Sequence, residues 1–573
     1  MSATAIFLVT LGGMLLLSVP LFVLIGFLTC LGYVLWGDVQ GFLDVTIIEN
    51  IRELTDKPPL LAIPFFVLSG AIMSRGAIAG RLVNVARAVF GGLPGGLGVA
   101  TVAACMFFAA ISGSSPVTVI TIGSVMYPAL IAAGYDERFS VGLVTSAGTL
   151  GILIPPSIPM IVYAIFASGD QVIQVEDLFL AGVGPGLLIG ALLGAYCLVV
   201  GLRKGERFKA PAYRAIVDSV IDGFWSLMLP ALILGGIYSG LFTATEAAAV
   251  SVVYSVIVEL FVHRELELAD LPAVVGEATV LMGSLLVIFA MAVGLNALLS
   301  DLAIPDRAAA WITSIDLAPL TFMLLLNGFL LVVGCIMDIM SAIMILVPLL
   351  APMALLCGID PIHLGIVFIV NLELGYLTPP MGLNLFVSSS VFDKPLGMVI
   401  RSVVPFAGIL LAAVLIVSYV PTVPLGPVNA LAGKPIWQSF PDGTLCVAPP
   451  DEDDGEMADD GGDDGDASGG EDRAKGIGDL MDSPAYRAAM AGDGGDDDGD
   501  DEDEDEDDAA EDGKERSVGD LMNSGAYKSA FDDDVEPPPK KPAPDDGKVK
   551  SVGDLMNSGA YKSAFDDDAE RDE

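Results

Sequence analysis

Histidine, cysteine and positive charge are all scarce in this sequence of 573 residues. It has only two histidines, with no nucleophile motif, phosphate-binding loop or nucleotide fingerprint near them, so soluble-enzyme chemistry has little support. The cysteines stand singly and mostly within apolar runs, which indicates neither a disulfide framework nor a metal site. Lysine and arginine number 28 against 71 aspartates and glutamates, and this balance argues against nucleic-acid binding. The cysteines are Cys30, Cys105, Cys197, Cys335, Cys357 and Cys446.

The negative charge is concentrated at the carboxyl end of the chain. Residues 451–573 hold 44 acids and 12 bases, a net charge of −32, whereas residues 1–450 hold 27 acids and 16 bases, a net charge of −11. The earlier part contains many apolar runs of roughly 17–30 residues, long enough to cross a hydrocarbon core of about 30 Å. The run at 2–36 lacks a basic leader and a cleavage site, so we interpret it as structure, either one tilted helix or two helices. The sequence therefore predicts an all-α polytopic membrane protein with a disordered acidic tail.

An internal repeat organises the membrane part. At an offset of 224 residues Pro155-Pro156 aligns with Pro379-Pro380, and glycines and aspartates align across the same window without a gap. Chance matches of leucine are common in membrane segments, but matches of Gly, Pro and Asp are not. The predicted organisation is a first repeat at 1–203, a central cytoplasmic linker at 204–221, a second repeat at 222–425 and the tail at 426–573. Further aligned pairs are Gly134 with Gly358, Asp136 with Asp360, and Gly151 with Gly375.

Each half is expected to contain five crossings, one re-entrant hairpin and one broken helix. An odd number of crossings gives the two halves opposite orientations, so the repeat is inverted. Arginines at 75–87 and the basic residues at 203–214 mark cytoplasmic loops by the positive-inside rule. Following the crossings from these loops places the carboxyl terminus outside. The crossings of the second half are expected near 222–242, 244–263, 276–300 and 398–421, with hairpin arms at 318–336 and 343–357 and the broken helix at 361–390.

Polar residues cluster where the membrane segments are interrupted. Non-helical backbone at membrane depth must be buried in protein or line a cavity, and helix ends exposed there offer carbonyls to Na⁺ or N–H groups to a carboxylate. Asp338 lies at the second hairpin tip, where an unpaired charge costs roughly 3 kcal/mol or more, so it is a candidate cation or proton site; the alternative is a capping acid that reaches water. The candidate cation ligands are Ser112, Ser114, Ser115, Gly148, Thr149, Pro155, Asp338, Ser341, Asn371, Glu373, Thr378 and Pro379. The candidate substrate contacts are Ser114, Thr145, Asn371 and Asn384.

The segments "FFAAISGSSPVTVITIGSVMYPALIAAGYD", "GTLGILIPPSIPMIVYA", "GLFTATEAAAV" and "LELGYLTPPMGLNLF" resemble the large membrane subunit of tripartite ATP-independent periplasmic (TRAP) transporters, the DctM-like family. The resemblance covers roughly residues 3–425. It implies a Na⁺-driven importer of organic acids in the bacterial inner membrane, moving by an elevator mechanism, with a small four-helix membrane subunit and a periplasmic substrate-binding protein as partners. It also implies ion sites within 112–115, 148–156, 338–341 and 371–380, and no cofactor besides Na⁺ as coupling ion.

The tail departs from this family. One motif occurs in it three times, beginning at Lys475, Arg516 and Lys550, and its apolar positions suggest short helical elements that bind a partner protein; a duplicated solubilising segment is the alternative. Two other functions remain open at this stage. One is an anion/Na⁺ symporter that needs no binding protein, and the other is a membrane scaffold that acts through the repeated tail motifs.

Overall fold

The computed structural model describes residues 3–17, 19–36, 57–76, 78–167, 173–209, 213–315, 317–441 and 446. In these ranges all regular secondary structure is helical. Seven of the described helices are long and apolar enough to cross a membrane, or up to nine spans if each bent pair counts as one. The chain is therefore a multi-pass helical membrane protein. The predicted connector at 40–51 and the tail motifs lie outside the described residues.

The described helices of the first half end with a long crossing, α9. They are α1 (Ala3–Leu16), α2 (Leu21–Trp36), α3 (Pro59–Arg75), α4 (Ile78–Phe90), α5 (Gly96–Ser112), α6 (Ser115–Ala132), α7 (Glu137–Ala147), a 3₁₀ turn (Gly148–Ile152), α8 (Ile158–Ala167) and α9 (Val175–Arg203).

The second half has a similar series of helices, with one more described helix at its start (α10) and one more at its end (α20). They are α10 (Tyr213–Asp222), α11 (Phe224–Tyr238), α12 (Ala244–Ile257) with a π-helical end (Val258–His263), α13 (Leu271–Asp301), α14 (Ile304–Ser314), α15 (Pro319–Ile336), α16 (Ile339–Leu356), α17 (Pro361–Gly375), α18 (Leu383–Val391), α19 (Leu396–Tyr419) and α20 (Thr422–Leu431).

Local sequence signals account for the helix boundaries near the breaks. Asp136 begins α7 by accepting hydrogen bonds from two backbone N–H groups at 3.1 and 3.4 Å, and Asp360 begins α17 in the same way at 2.8 and 3.2 Å. A side-chain oxygen at this position satisfies N–H groups that have no partner within the helix. Both proline pairs, at 155–156 and 379–380, contain a cis peptide bond. The offset of 224 residues thus recurs in backbone conformation as well as in residue type.

Most buried side chains form one continuous core. Within it α7 packs on α19, α15 on α17 and α8 on α16, so the hairpins and broken helices form a central group. The long helix α13 runs beside this group and contacts α3 and α16. Helix α2 packs against the far end of α13, and α1 packs on α2, around a smaller cluster that includes Leu24, Ile25 and Leu298.

Four features differ from the sequence-based expectations or extend them. The run at 2–36 is two helices, α1 and α2, and the short helices α4 and α14 were not expected. The fold continues past residue 425, because α20 spans 422–431 and packs on α9 and α17. The expectation of no disulfide was wrong: Cys357 and Cys446 are joined by one. Single cysteines far apart in sequence gave no spacing signal for this pair.

Candidate functional site

The first hairpin turns at residues 112–115. Helix α5 ends at Ser112, Gly113 adopts a left-handed backbone with φ of 56°, and α6 begins at Ser115. Ser114 precedes α6 in an extended conformation and its side chain caps no N–H group. A Cβ atom on Gly113 would lie 2.8 Å from the carbonyl oxygen of Pro156, so only glycine lets the tip approach the proline pair this closely.

The second hairpin turns at Asp338. Its Oδ2 accepts hydrogen bonds from the backbone N–H groups of Met340 (3.1 Å) and Ser341 (3.3 Å), which makes it the cap of α16. Its Oδ1 accepts a hydrogen bond from the Tyr376 hydroxyl at 2.9 Å. The capping alternative is therefore realised, and one carboxylate oxygen is held by the broken helix of the same half.

A glycine in each broken helix touches the hairpin of its own half. A Cβ atom on Gly151 would lie 2.5 Å from the carbonyl oxygen of Ser114, and one on Gly375 would lie 2.6 Å from the Cα of Gly334. These two glycines are 224 residues apart. Each hairpin therefore packs backbone to backbone against the break that follows it.

One hydrogen bond joins the two breaks. The Thr149 hydroxyl donates to Oε1 of Glu373 at 2.6 Å. Glu373 is fully buried, and its Oε2 has no hydrogen-bond partner among the residues that the structure describes. A buried carboxylate oxygen without a partner is energetically costly, so this position is suited to a cation or a proton.

Other predicted site residues are held in side-chain pairs, two of which join the halves and one of which, Asn371 with Asn327, lies within the second half. Asn384 donates to the Ser115 hydroxyl at 2.6 Å, and Thr145 donates to the Ser388 hydroxyl at 2.8 Å. Asn371 donates to Oδ1 of Asn327 at 2.7 Å. These contacts fasten the helices of the central group to one another.

The remaining predicted site residues form hydrogen bonds with nearby residues of their own segment or set the backbone conformation of the breaks. The Thr378 hydroxyl donates to the carbonyl oxygen of Leu374 at 2.9 Å. The hydroxyls of Ser112 and Thr118 lie 3.0 Å apart. Gly148 is in the 3₁₀ turn, and Pro155 and Pro379 begin the cis pairs, so these three residues contribute backbone geometry to the breaks.

A cavity of about 770 Å³ lies between the two hairpin tips and α13. Ser114 and Asp338 line it from the tips, and Tyr376 lines it from the second break. Of the four predicted substrate contacts, Ser114 reaches this cavity; Thr145, Asn371 and Asn384 are not among its lining residues. The α13 wall consists of Ala273, Gly276, Glu277, Val280, Leu281, Ser284 and Leu285.

Two lining residues were missed by the sequence reasoning. Glu277 stands on the α13 wall and forms an ion pair with Arg75 at the end of α3. The sequence did contain a sign of Glu277, because an acidic residue within the crossing expected at 276–300 is unusual. Tyr376 holds Asp338, but its counterpart at the repeat offset is Ile152, so the repeat pattern contained no sign of it.

The donor set favours a hard cation over a transition metal. No group of three or more His, Cys, Asp or Glu side chains that could hold a metal ion occurs in the described ranges. What the breaks offer is one buried carboxylate, hydroxyls and backbone carbonyls, which are oxygen ligands.

A helical membrane protein in which two hairpin tips and two broken helices meet beside one cavity belongs to the class of secondary transporters. Sequence comparison gives the family. Residues 8–423 match the tripartite ATP-independent periplasmic transporter, DctM component, and the chain belongs to this family.

Individual relatives agree with this assignment. The chain is 46% identical over 383 residues to the C4-dicarboxylate TRAP transporter large permease protein DctM of Pseudomonas aeruginosa, which covers 67% of this chain and 89% of that protein. It is 39% identical to the isethionate TRAP transporter permease protein DctMQ of Oleidesulfovibrio alaskensis, over 65% of this chain and 58% of that protein. The fold resembles the crystal structure of the Alcanivorax borkumensis YdaH transporter, with a TM-score of 0.56, 14% identity, and coverage of 73% of this chain and 99% of that one.

Proposed function

We propose that this chain is the large permease subunit of a Na⁺-coupled transporter that imports a small organic carboxylate across the bacterial inner membrane. The observation that carries the proposal is the cavity between the hairpin tips, with the buried Glu373 carboxylate joining the two breaks behind it. The names of the relatives, one for C4-dicarboxylates and one for isethionate, support a small organic anion as substrate.

In this proposal Na⁺ binds to Glu373 and to backbone carbonyl oxygens of the two breaks. Oε2 of Glu373 has no hydrogen-bond partner among the described residues, and a bound Na⁺ would provide one. The other oxygen, Oε1, accepts the hydrogen bond from Thr149. Asp338 adds a second carboxylate near the cavity. Binding of Na⁺ here would neutralise the carboxylate and lower the cost of keeping it in the membrane interior.

We infer that the substrate anion binds at the first hairpin tip, because the two tips differ in the side-chain capping of their helix N-termini. The Asp338 carboxylate accepts hydrogen bonds from N–H groups at the start of α16, whereas Ser114, which precedes α6, makes no side-chain cap. No lysine or arginine is among the described residues that line the cavity. A substrate carboxylate would therefore find its hydrogen-bond donors at the α6 N-terminus and its charge balance in the bound Na⁺.

The arrangement of helices favours an elevator motion. The hairpins and broken helices pack on one another, while the opposite wall of the cavity belongs to α13. The wall uses the first half of α13, next to Arg75, in a region that the positive-inside rule assigns to the cytoplasm. These features support a cavity that opens to the inner side in this conformation. In the proposed mechanism the hairpins and broken helices would move together, so that the cavity opens to the outer side. The small membrane subunit and a periplasmic binding protein are the partners proposed by family resemblance.

The test is uptake into proteoliposomes that contain the chain and a small membrane subunit encoded beside it. Radiolabelled dicarboxylate should accumulate when the neighbouring binding protein and an inward Na⁺ gradient are both present, and Glu373→Gln should abolish the Na⁺ dependence. Accumulation without the binding protein would instead establish a binding-protein-independent symporter. Uptake that is equal with and without a Na⁺ gradient would overturn the proposed coupling.

A further inference from the structure

The segment that follows α9 bridges both ends of the first hairpin. Oε2 of Glu206 accepts hydrogen bonds from the backbone N–H of Gly95 at 2.8 Å and from the Tyr135 hydroxyl at 3.2 Å. Gly95 precedes the first arm, α5, and Tyr135 follows the second arm, α6. Glu206 therefore holds the two arms together at the end of the hairpin that is farthest from its tip.

Neighbouring contacts strengthen this attachment. Nζ of Lys204 donates to the carbonyl oxygen of Gly134 at 2.6 Å and lies 3.9 Å from the Tyr135 ring centroid. The backbone N–H of Lys209 donates to the carbonyl oxygen of Gly92 at 2.8 Å. We name residues 204–209 the inner clasp. Burial of Tyr135 beside the Glu206 carboxylate raises the pKa of the Tyr135 hydroxyl, which keeps it protonated as a donor.

The segment that follows α19 does the same for the second hairpin. The backbone N–H of Cys446 donates to the carbonyl oxygen of Leu317 at 2.8 Å, and the Cys446 side chain forms the disulfide with Cys357. Leu317 lies just before the first arm, α15, and Cys357 lies just after the second arm, α16. A single residue again bridges the two ends of a hairpin at its base.

The rest of this segment is folded onto the same end of the protein. Helix α20 packs on α9 and α17. Thr422 Oγ1 accepts a hydrogen bond from the Gln438 N–H at 3.0 Å and donates to the Gln438 carbonyl at 2.9 Å. The rings of Tyr419 and Phe440 lie 5.6 Å apart. We name residues 420–441 with Cys446 the outer clasp.

The two clasps are counterparts. Both follow the last helix of their half, and α9 and α19 correspond at the repeat offset. Gly95 and Tyr135 correspond at this offset to positions 319 and 359, each within two residues of Leu317 and Cys357. The inner clasp uses charge and hydrogen bonds, with basic residues typical of a cytoplasmic loop. The outer clasp uses a disulfide, which persists in an oxidising compartment such as the periplasm.

We propose that Glu206 and the Cys357–Cys446 disulfide are positioning residues that clamp the bases of the two hairpins on opposite sides of the membrane, with the outer clasp in the periplasm. Each clasp keeps its two arms together, so that the tip stays aligned with the break that it touches at the cavity. The consequence for Na⁺ binding rests on the proposed function. The location of the outer clasp and the presence of its disulfide are independent of that function.

Thiol labelling of the full chain in intact cells tests the outer clasp without any transport measurement. In a Cys30→Ser background, a membrane-impermeant maleimide–polyethylene glycol should give no gel shift before reduction and two adducts after treatment with an impermeant reductant. Adding Cys446→Ser should give one adduct without reduction. Adducts on the unreduced Cys30→Ser chain, or labelling that requires permeabilised cells, would overturn the proposal.

Na⁺-dependent uptake tests the positioning role. Glu206→Leu removes both hydrogen bonds, whereas Glu206→Gln keeps an acceptor oxygen. We expect Glu206→Leu to raise the Na⁺ concentration for half-maximal uptake at least fivefold at an equal amount of protein, and Glu206→Gln to remain near wild type.

Reduction of the disulfide in assembled wild-type protein should produce a similar rise. Because the protein is already folded when it is reduced, this experiment avoids any folding defect. The reductant should not change the Na⁺ requirement of Cys446→Ser protein. An unchanged Na⁺ requirement in both the Glu206→Leu and the reduced protein would overturn the positioning role. Wild-type protein without Na⁺-dependent uptake would contradict the proposed function, and the labelling result would still decide the clasp.

Discussion

Thr149 and Glu373 lie 224 positions apart, which is the offset of the sequence repeat, and they bond to each other: the Thr149 hydroxyl lies 2.6 Å from Oε1 of Glu373. Thr149 belongs to the first break and Glu373 to the second. This hydrogen bond therefore marks the junction of the two breaks. It also connects the single fully buried carboxylate of the central helices to a residue of the opposite half.

Replacing Thr149 by valine should weaken Na⁺ coupling. The substitution keeps the side-chain shape but removes the donor to Glu373, and a hydrogen bond to a charged group contributes about 1.5–3 kcal/mol. We expect the Na⁺ concentration for half-maximal uptake to rise about tenfold or more. Thr149→Ser retains the hydroxyl and is the matched control. Equal Na⁺ dependence of the valine and serine variants would show that the hydrogen bond plays no part in coupling.

Alanine at either break glycine should destabilise the protein. The added Cβ would lie 2.5 Å from the Ser114 oxygen in Gly151→Ala and 2.6 Å from the Gly334 Cα in Gly375→Ala. Overpacking of this kind costs about 1–3 kcal/mol, so the thermal midpoint in detergent should fall. Gly283→Ala is the control, because nothing lies within 4 Å of its added Cβ and alanine is the better helix former. A midpoint for Gly375→Ala at or above that of Gly283→Ala would contradict the close packing.

Two substitutions at Asp338 should separate its structural role from its proposed ionic role. Asp338→Asn keeps an oxygen that can cap α16 but removes the charge, so the thermal midpoint should stay close to wild type while Na⁺-dependent uptake falls. Asp338→Ala also removes the cap, which costs about 1 kcal/mol of stability. Unchanged uptake and Na⁺ dependence in Asp338→Asn would leave the residue a cap alone.

Acid should weaken one surface link between the halves. Glu137, at the start of α7, pairs with Nζ of Lys394 at 2.6 Å, and this hydrogen bond lowers the pKa of the Glu137 carboxyl from its usual 4.5. Because the folded-state pKa is the lower one, the contribution is present above about pH 4.5 and is lost as the pH falls through the folded value. Both side chains are partly exposed, so the contribution should not exceed about 1 kcal/mol.

The measurement is the thermal midpoint in detergent between pH 7 and pH 3, compared with Glu137→Gln. The difference between the two proteins should shrink as the pH falls, because the wild-type carboxyl becomes protonated and loses its charge. A difference that stays constant down to pH 3 would show that the ion pair does not contribute.

Local signals in the sequence were sufficient for much of the architecture. Prolines, glycines and capping aspartates act within a few residues of their own backbone, so the breaks at 148–156 and 372–380 and the turns at 112–116 and 337–341 could be located from residue type and the 224-residue offset. The crossing expected at 276–300 corresponds to α13 (Leu271–Asp301), and the hairpin arm at 318–336 to α15 (Pro319–Ile336).

Contacts between distant segments could not be predicted in the same way. Tyr376 with Asp338, Asn384 with Ser115, and Cys446 with Cys357 depend on how whole helices pack, and neither spacing nor periodicity records that packing. The partners of Thr145 and Asn371, which are Ser388 and Asn327 on neighbouring helices, could not be predicted for the same reason, and the substrate contacts expected of these two residues stay predictions.

The α13 wall of the cavity has few groups that could form polar contacts with the hairpin tips. Among the described residues, the Ser284 hydroxyl donates to its own backbone at Val280, Glu277 pairs with Arg75, and no hydrogen bond runs from this wall to either tip. Under the proposed elevator motion, displacement of the tips along this wall would break no polar contact between described residues. The preferred position of the tips would then depend on the bound substrate and Na⁺, and not on the wall itself.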